Sequence, residues 1–184
     1  MRFTLYYDGD LPPTGSAEAK NVIRLALHPQ IKDLWDKTGL SSVAEFVDPS
    51  AHDGGQHLVP QGGFRFASVV HPYLHLRASL NILMQRSGDA GQLIDGGDID
   101  NRLKTLFDAL TVPSAQQIPR GWAPDSGQDP LHCLLEDDKL ITSVAVETDR
   151  LLGPTATPRA VRLTIRVQVH AAKASYGSQM FITP

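Results

Sequence analysis

Two short acidic segments contain the residues of this chain whose types and spacing could do chemistry. Asp98 and Asp100 lie where a glycine-rich turn meets a predicted helix, and Lys104 follows Asp100 by one helical turn. Carboxylate oxygens are the hard ligands that Mg²⁺ prefers, and one or two can suffice because this ion keeps several waters. The alternative is that the aspartates cap the helix, while Asp100 and Lys104 form an ordinary surface pair.

The second acidic segment is Glu136-Asp137-Asp138, which comes just before a predicted strand. Such a concentration of like charge is costly unless the carboxylates are solvated or bind a metal ion. If Asp138 lies beside Asp98 and Asp100 in the fold, three carboxylates meet at one point. A metal site is then the better interpretation.

Both acidic segments belong to a longer ordered pattern in the second half of the chain. It consists of Gly97-Asp98-Ile99-Asp100-Asn101-Arg102-Leu103-Lys104, then Phe107-Asp108-Ala109-Leu110, then Glu136-Asp137-Asp138-Lys139-Leu140-Ile141. This pattern resembles that of the RusA-type Holliday-junction resolvases. In that family an Asp-x-Asp-Asn-x-x-Lys helix start, ending in Asp-Ala-Leu, precedes an Asp-Asp pair that opens a strand.

The resemblance implies both a reaction and the residues that carry it. Asp98, Asp100 and Asp138 would bind the metal ion, with Asp137 as the substitute for Asp138, and Lys104 would be the essential lysine near the scissile phosphate. The implied cofactor is Mg²⁺, which Mn²⁺ can replace. The implied enzyme is a homodimeric crossover junction endodeoxyribonuclease, which makes paired incisions in four-way (Holliday-junction) DNA during recombination and repair.

Two features distinguish this chain from family members known for junction cleavage. Those members are usually strongly basic, whereas this chain has a net charge of -3, and its segment between Leu110 and Glu136 is longer. A second interpretation is therefore a RusA-like DNA-binding or interaction module with weak or lost cleavage. A third is a metal-dependent phosphatase or nuclease acting on other nucleic acids. The retained carboxylates favour a nuclease, because without a metal ion they would repel DNA.

Cationic residues on two predicted strands are candidates for DNA contacts. Arg162 and Arg166 share one strand and Arg77 lies on another, where they could contact phosphates or simply form a solvated face. Trp122, in the long loop, could stack on an unpaired base, although a loop tryptophan more often anchors its own loop. Asn101 and Asp108 also match the family pattern, but helix capping or support of a metal ligand explains them equally well.

Histidines offer another metal site, which the sequence disfavours. His71 and His75 could lie on one strand face, with His52 and His57 in a nearby loop. Pro72 stands where a zinc-protease helix would be needed, and no glutamate follows the first histidine. Structural histidines are the better interpretation.

Hydrophobic periodicity predicts an α+β fold, with helices on one face of a mixed sheet. The predicted elements are a strand at 2–7, a helix capped by Ser16 with Ala19, Val22, Ile23, Ala26 and Leu27 on its buried side, a kink or second helix at Pro29, a strand at 75–85, a helix at 98–111 and strands at 139–148 and 161–170. The resemblance implies that residues 1–184 form a single RusA-like domain, with loop insertions near 48–63 and 111–133.

Composition bounds the class of protein. The chain has 184 residues, of which 41% are hydrophobic and 20% charged, as in an ordinary soluble domain. The single cysteine, Cys133, allows neither an intrachain disulfide nor a cysteine-based zinc site. No apolar signal core and no run of about 18 apolar residues occurs, so we expect a cytoplasmic protein without a membrane span.

Overall fold

The computed structural model describes residues 1–51, 55–87, 98–153, 157, 159–173, 175 and 177–182, with Asp98 and Ile182 described by their backbones alone. The strands and helices of this part are β1 (Arg2–Asp10), α1 (Ala17–Lys37), β2 (Leu58–Gln61), β3 (Phe64–Val70), β4 (Leu76–Arg86), α2 (Asp98–Leu110), β5 (Leu131–Leu135), β6 (Ile141–Arg150), β7 (Ala160–Ala171) and α3 (Gln179–Ile182). Short 3₁₀ segments lie at Gly39–Val47, Pro72–Leu74, Ala115–Gln117 and Asp138–Leu140. No described helix has the length and apolar character needed to cross a membrane.

Four strands form the main sheet, in the order β1-β7-β4-β6. β7 is antiparallel to both of its neighbours, whereas β4 and β6 run parallel, so the sheet is mixed. The predicted alternation is confirmed on β7, where Val161, Leu163 and Ile165 are buried while Arg162 and Arg166 are exposed. The α+β class is therefore confirmed, with a core on one side of this sheet and a polar, open face on the other.

The small sheet, β2-β3-β5, corrects the predicted loops. The segment 48–63 contains β2, and β5 begins inside the segment 111–133. All five residues of β5 are buried, so its sequence Leu-His-Cys-Leu-Leu lacks the alternation that marks a half-exposed strand. Trp122 packs edge-on against Phe64 of β3, with ring centroids 5.3 Å apart, as expected of a loop anchor.

The long helix α1 packs against β1, β5 and α2. The Ser16 cap is confirmed, since the Ser16 hydroxyl accepts a hydrogen bond from the amide of Ala19 at 3.3 Å. Of the two alternatives at Pro29, a second helix is excluded, because α1 runs through this residue to Lys37.

The predicted buried side of α1 is wrong at Val22, which is 60% exposed, and at Ala26, which is also exposed, although Ile23 and Leu27 are buried. The helix turns Arg24 and His28 towards the protein instead. Val22 lies about 200° around the helix from Arg24, at about 100° per residue, and therefore faces solvent.

Candidate active site

The second acidic segment, Glu136-Asp137-Asp138, lies where the end of β5 meets the end of α2. Residues Thr111 and Leu135 form a parallel bridge, in which the amide of Val112 donates to the Leu135 carbonyl at 3.0 Å. The amide of Glu136 then donates to the carbonyl of Val70 on β3, also at 3.0 Å. These bonds hold the start of the acidic segment beside the C-terminal end of α2.

A cleft of about 300 Å³ opens at this junction, and we call it the acidic cleft. Four carboxylates line it, together with hydroxyl and amide side chains and a few apolar groups. The lining residues are Val59, Gln61, Asp108, Thr111, Val112, Pro113, Ser114, Gln117, Glu136, Asp137 and Asp138. The sequence did not indicate that Gln61, Ser114 and Gln117 belong here, because they come from segments predicted as loops.

Two of the four carboxylates in the acidic cleft are paired with lysines, and the charged form of a third is disfavoured. Asp108 forms an ion pair with Lys20 at 2.7 Å. Asp137 accepts from the Lys139 amide at 3.0 Å and pairs with its ammonium at 2.8 Å. Burial acts to raise the pKa of Asp137, but these bonds outweigh it and lower that pKa. Burial, with the nearby Asp137 charge, raises the pKa of Glu136.

Asp138 differs from its neighbours because its side chain is exposed. Among the residues that the structure describes, it forms no ion pair. Asp137, the substitute predicted for it, is already engaged by Lys139. Asp138 is thus the exposed carboxylate among the four that line the acidic cleft.

The helix α2 begins at Asp98, as predicted, and presents part of the motif to solvent. Asp100, Asn101 and Lys104 are exposed. Asp100 and Lys104, both described with their side chains, form no ion pair with each other, so the alternative of an ordinary surface pair finds no support. Arg102 turns inwards and donates a hydrogen bond to the carbonyl of Leu11.

The helix packs against the 3₁₀ turn Asp138–Leu140, which brings both halves of the motif to neighbouring elements. Asp108 enters the acidic cleft from the C-terminal end of α2, whereas Asp100 lies eight residues earlier, about 12 Å along the helix axis. Among the described side chains, no group of three histidine, cysteine, aspartate or glutamate residues is placed to hold a metal ion. The side chain of Asp98 lies outside that description, so the set Asp98, Asp100 and Asp138 stays a prediction.

A buried arginine, which the sequence did not single out, joins α1 to the end of α2. Arg24 is only 1% exposed, and it donates to the carbonyls of Asp108 at 2.8 Å and Thr111 at 3.3 Å. It also donates to the side-chain oxygen of Asn21 at 3.3 Å. These carbonyls end a helix and lack partners within it, so Arg24 both satisfies them and positions this wall of the acidic cleft.

The three arginines predicted to contact DNA lie on or beside the open face in different states. Both Nε and Nη2 of Arg162 donate to Asp8, at 2.9 Å and 2.7 Å. Arg77 is half-buried and donates to the carbonyl of Leu76. Arg166 is exposed and lines a trough that also contains Arg2, a residue that sequence reasoning missed.

Four histidines are buried or half-buried and pack in two pairs, His28 with His132 and His57 with His71, whereas His75 is exposed. His57 is fully buried, stacks on His71 at 4.8 Å, and donates through Nδ1 to the carbonyl of Ser68 at 2.9 Å. His132 is buried beside His28, whose Nδ1 accepts from the His132 amide at 2.9 Å. Burial lowers the pKa of His57 to about 3 and that of His132 to about 4. His52 lies outside the described residues.

Comparison with known proteins adds no relative: the chain matches no protein-family model, no curated protein and no solved structure. The resemblance to the RusA family therefore remains a prediction that rests on the motif residues between 97 and 141.

Proposed function

We propose that this protein is a Mg²⁺-dependent, structure-selective DNA endonuclease that resolves four-way junctions. The observation that supports the proposal most is the packing of the acidic turn Asp138–Leu140 against α2. That helix carries the remaining motif residues, Asp98, Asp100 and Lys104. Two acidic segments separated by a long stretch of sequence thus lie on adjacent elements, as an active site assembled from both would require.

The residues that would hold Mg²⁺ are Asp98, Asp100 and Asp138, and their donor type fits this ion because all three offer carboxylate oxygens. Asp98 would complete this set, and its side chain lies outside the described residues. When bound, Mg²⁺ supplies charge neutralisation at the phosphate and a lowered pKa of bound water. Lys104, exposed one turn beyond Asp100, would contribute its charge to the scissile phosphate.

The proposed enzyme acts as a homodimer. A four-way junction has two-fold symmetry, and an enzyme with the same symmetry presents two equivalent active sites for paired incisions. Each subunit would then cut one of two symmetry-related strands.

The second candidate is a RusA-like DNA-binding or interaction module whose cleavage is weak or lost. Two features of the sequence favour it: the net charge of -3 and the long segment between Leu110 and Glu136. It predicts binding to branched DNA that neither requires Mg²⁺ nor produces nicks.

Cleavage of labelled DNA with and without Mg²⁺ separates these candidates. Four-way, forked and linear duplexes would be incubated with wild type, Asp138→Asn, and the matched control Asp36→Asn, which removes an exposed α1 carboxylate paired with Lys32. We expect symmetric nicks on the four-way substrate with wild type and control, and none with Asp138→Asn. Metal-independent binding without nicks would select the binding module, whereas preferred cleavage of linear duplex would show a nuclease with another substrate.

A further inference from the structure

On the open face of the main sheet, the acidic residues lie towards one end of the strands. Aligned side chains form rows across β1, β7, β4 and β6. Two neighbouring rows near the start of β1 contain Arg2-Gln168-Ser79-Ser143 and Thr4-Arg166-Asn81-Ala145. The next two rows contain Tyr6-Thr164-Leu83-Glu147 and Asp8-Arg162-Gln85-Asp149. The carboxylates of these four rows are therefore confined to one end of the face.

A trough of about 600 Å³ occupies the two rows without carboxylates. Arg2 and Arg166 line it, as do the amide side chains of Asn81 and Gln168 and the hydroxyl groups of Thr4, Ser79 and Ser143. None of the described lining residues is acidic, and neither arginine forms an ion pair with another described residue. Arg2 and Arg166 lie on adjacent strands as diagonal neighbours, about 7–8 Å apart at the backbone.

We infer that this trough binds the sugar-phosphate backbone of a DNA arm, an inference that rests on the proposed function and extends it to substrate positioning. Two guanidinium groups, neither of which is ion-paired within the described part of the chain, supply the charge that phosphates require, and amide and hydroxyl groups add neutral hydrogen-bond donors. Phe3, Leu80, Ala145 and Val167 also contribute apolar atoms to the lining, so the two cationic groups, rather than a lack of apolar surface, indicate the class of ligand. Charge complementarity thus selects a polyanion rather than a second copy of the chain.

Strand β6 connects the trough to the acidic cleft. Asp138 in the cleft precedes Ser143 in the trough by five residues, which separates their backbones by at most about 18 Å. That length corresponds to about five base-pair steps of 3.4 Å. One DNA arm could therefore lie in the trough while a phosphate of the same duplex reaches the acidic turn.

The other two predicted DNA-binding arginines are less suited to this role. Arg162 lies outside the trough, and its charge is already compensated by Asp8 at 2.7 Å. Arg77 is half-buried, with its guanidinium bound to a backbone carbonyl. Of the three arginines predicted from sequence, the inference retains Arg166 and adds Arg2.

The test is fluorescence anisotropy of a labelled four-way junction titrated with protein in EDTA, which suppresses metal-dependent cleavage. The double variant Arg2→Ala/Arg166→Ala should bind roughly tenfold more weakly, with a log–log salt slope smaller by about two, because two phosphate contacts are lost. Arg2→Lys/Arg166→Lys should retain most of the affinity. Urea unfolding would verify that each variant remains as stable as wild type.

The matched control is Arg159→Ala/Lys173→Ala, which removes two exposed positive charges outside the trough that also form no ion pair with another described residue. It should change the affinity by less than about threefold and leave the salt slope nearly intact. Equal losses in both double variants would show a bulk charge effect and overturn the inference. So would unchanged affinity in the trough variant, no binding of DNA by wild type, or a trough variant whose dimer dissociates while its affinity is retained.

The binding assay in EDTA tests the trough inference, and the cleavage assay in Mg²⁺ tests the nuclease proposal, so either claim can be contradicted without the other. A wild type that binds through the trough but nicks no substrate would contradict the nuclease proposal and keep the trough. If wild type cleaves junctions and the trough variants bind and cleave as well as wild type, the trough inference is contradicted and the nuclease proposal stands.

Discussion

The acidic cleft and the trough have opposite charge, although a single strand, β6, joins them. In the cleft, Glu136, Asp137 and Asp138 follow one another beside α2. In the trough, Arg2 and Arg166 lie among uncharged side chains, both polar and apolar. The net charge of -3 is a sum over the whole chain and therefore indicates neither region. The comparison teaches that local charge, rather than the sum over the chain, indicates where a polyanion can bind.

The two regions also differ in how the chain holds their charges. In the acidic cleft, Asp108 pairs with Lys20 and Asp137 with Lys139, so the fold partly neutralises its own carboxylates. In the trough the arginines are left without ion pairs among the described residues. We infer a division of tasks, in which the cleft performs chemistry and the trough supplies affinity.

The largest expected effect separates these tasks at the acidic residues. Asp100→Asn and Asp138→Asn should each reduce single-turnover cleavage of a four-way junction by roughly 10³-fold, or about 4 kcal/mol, because each removes an oxygen of the proposed metal site. Affinity measured in EDTA should stay the same or rise, since a carboxylate that repels DNA is lost. If both variants lost DNA affinity to the same extent as cleavage, the assignment of chemistry to the acidic residues and of affinity to the trough would be contradicted.

Acid should weaken the scaffold shared by both regions. His57 and His132 are buried and neutral in the folded chain, and burial holds their pKa values at about 3 and about 4. Below their usual pKa of about 6.5 the unfolded chain binds more protons. Stability present at pH 7 is therefore lost as the pH falls from about 6.5 towards 3, by about 3 kcal/mol per imidazole at pH 4.

Urea unfolding between pH 7 and pH 4 measures this acid sensitivity. His57→Phe should flatten the decline below pH 6.5, even where its stability at pH 7 is lower, because one proton-binding group is gone. Val22→Ala, at an exposed position without a titratable group, should reproduce the wild-type slope. Equal slopes in all three proteins would exclude His57 as a source of the decline.

A somewhat smaller effect is expected at the helix junction behind the acidic cleft. Arg24→Met should lower the free energy of unfolding by about 2–3 kcal/mol, because the carbonyls of Asp108 and Thr111 lose their buried donor. Urea unfolding would check this against Arg65→Ala, an exposed pair with Asp129 whose loss should cost no more than about 1 kcal/mol. In the folded Arg24 variant, cleavage should fall more than DNA affinity, since Arg24 supports the cleft rather than the trough.

The smallest expected effect concerns the boundary of the trough. Asp8→Ala should release Arg162 from its ion pair and raise DNA affinity about two- to threefold, because one more cation becomes available to phosphates. Stability should change by less than about 1 kcal/mol, as for other exposed pairs. Anisotropy titrations at several salt concentrations would detect the change, and a weaker affinity would contradict the assignment of Asp8 as a neutralising neighbour.

How far the sequence predicted this structure depended on periodicity. Strands β4 and β7 were found because their apolar and polar residues alternate, and α2 because its apolar residues recur at helical spacing. β5 was missed because a strand buried on every residue has no alternation. Val22 was misplaced because the burial of Arg24, which no propensity indicates, rotates α1 about its axis.

The candidate site was predictable in its acidic residues but incompletely in its surroundings. Motif order identified Asp138, and the structure places its turn against α2. Gln61 and Ser114 in the cleft could not be foreseen, because sheet pairing and loop packing bring them there. Arg2 was missed for the same reason: its partnership with Arg166 exists only through the pairing of β1 with β7.

Electron paramagnetic resonance of Mn²⁺ titrated into the protein tests most directly whether the two acidic segments bind one cation together. The account predicts one bound Mn²⁺ per chain in wild type and in Asp36→Asn, and its loss in both Asp100→Asn and Asp138→Asn. No bound Mn²⁺ in wild type, or unchanged binding in either of these two variants, would contradict it.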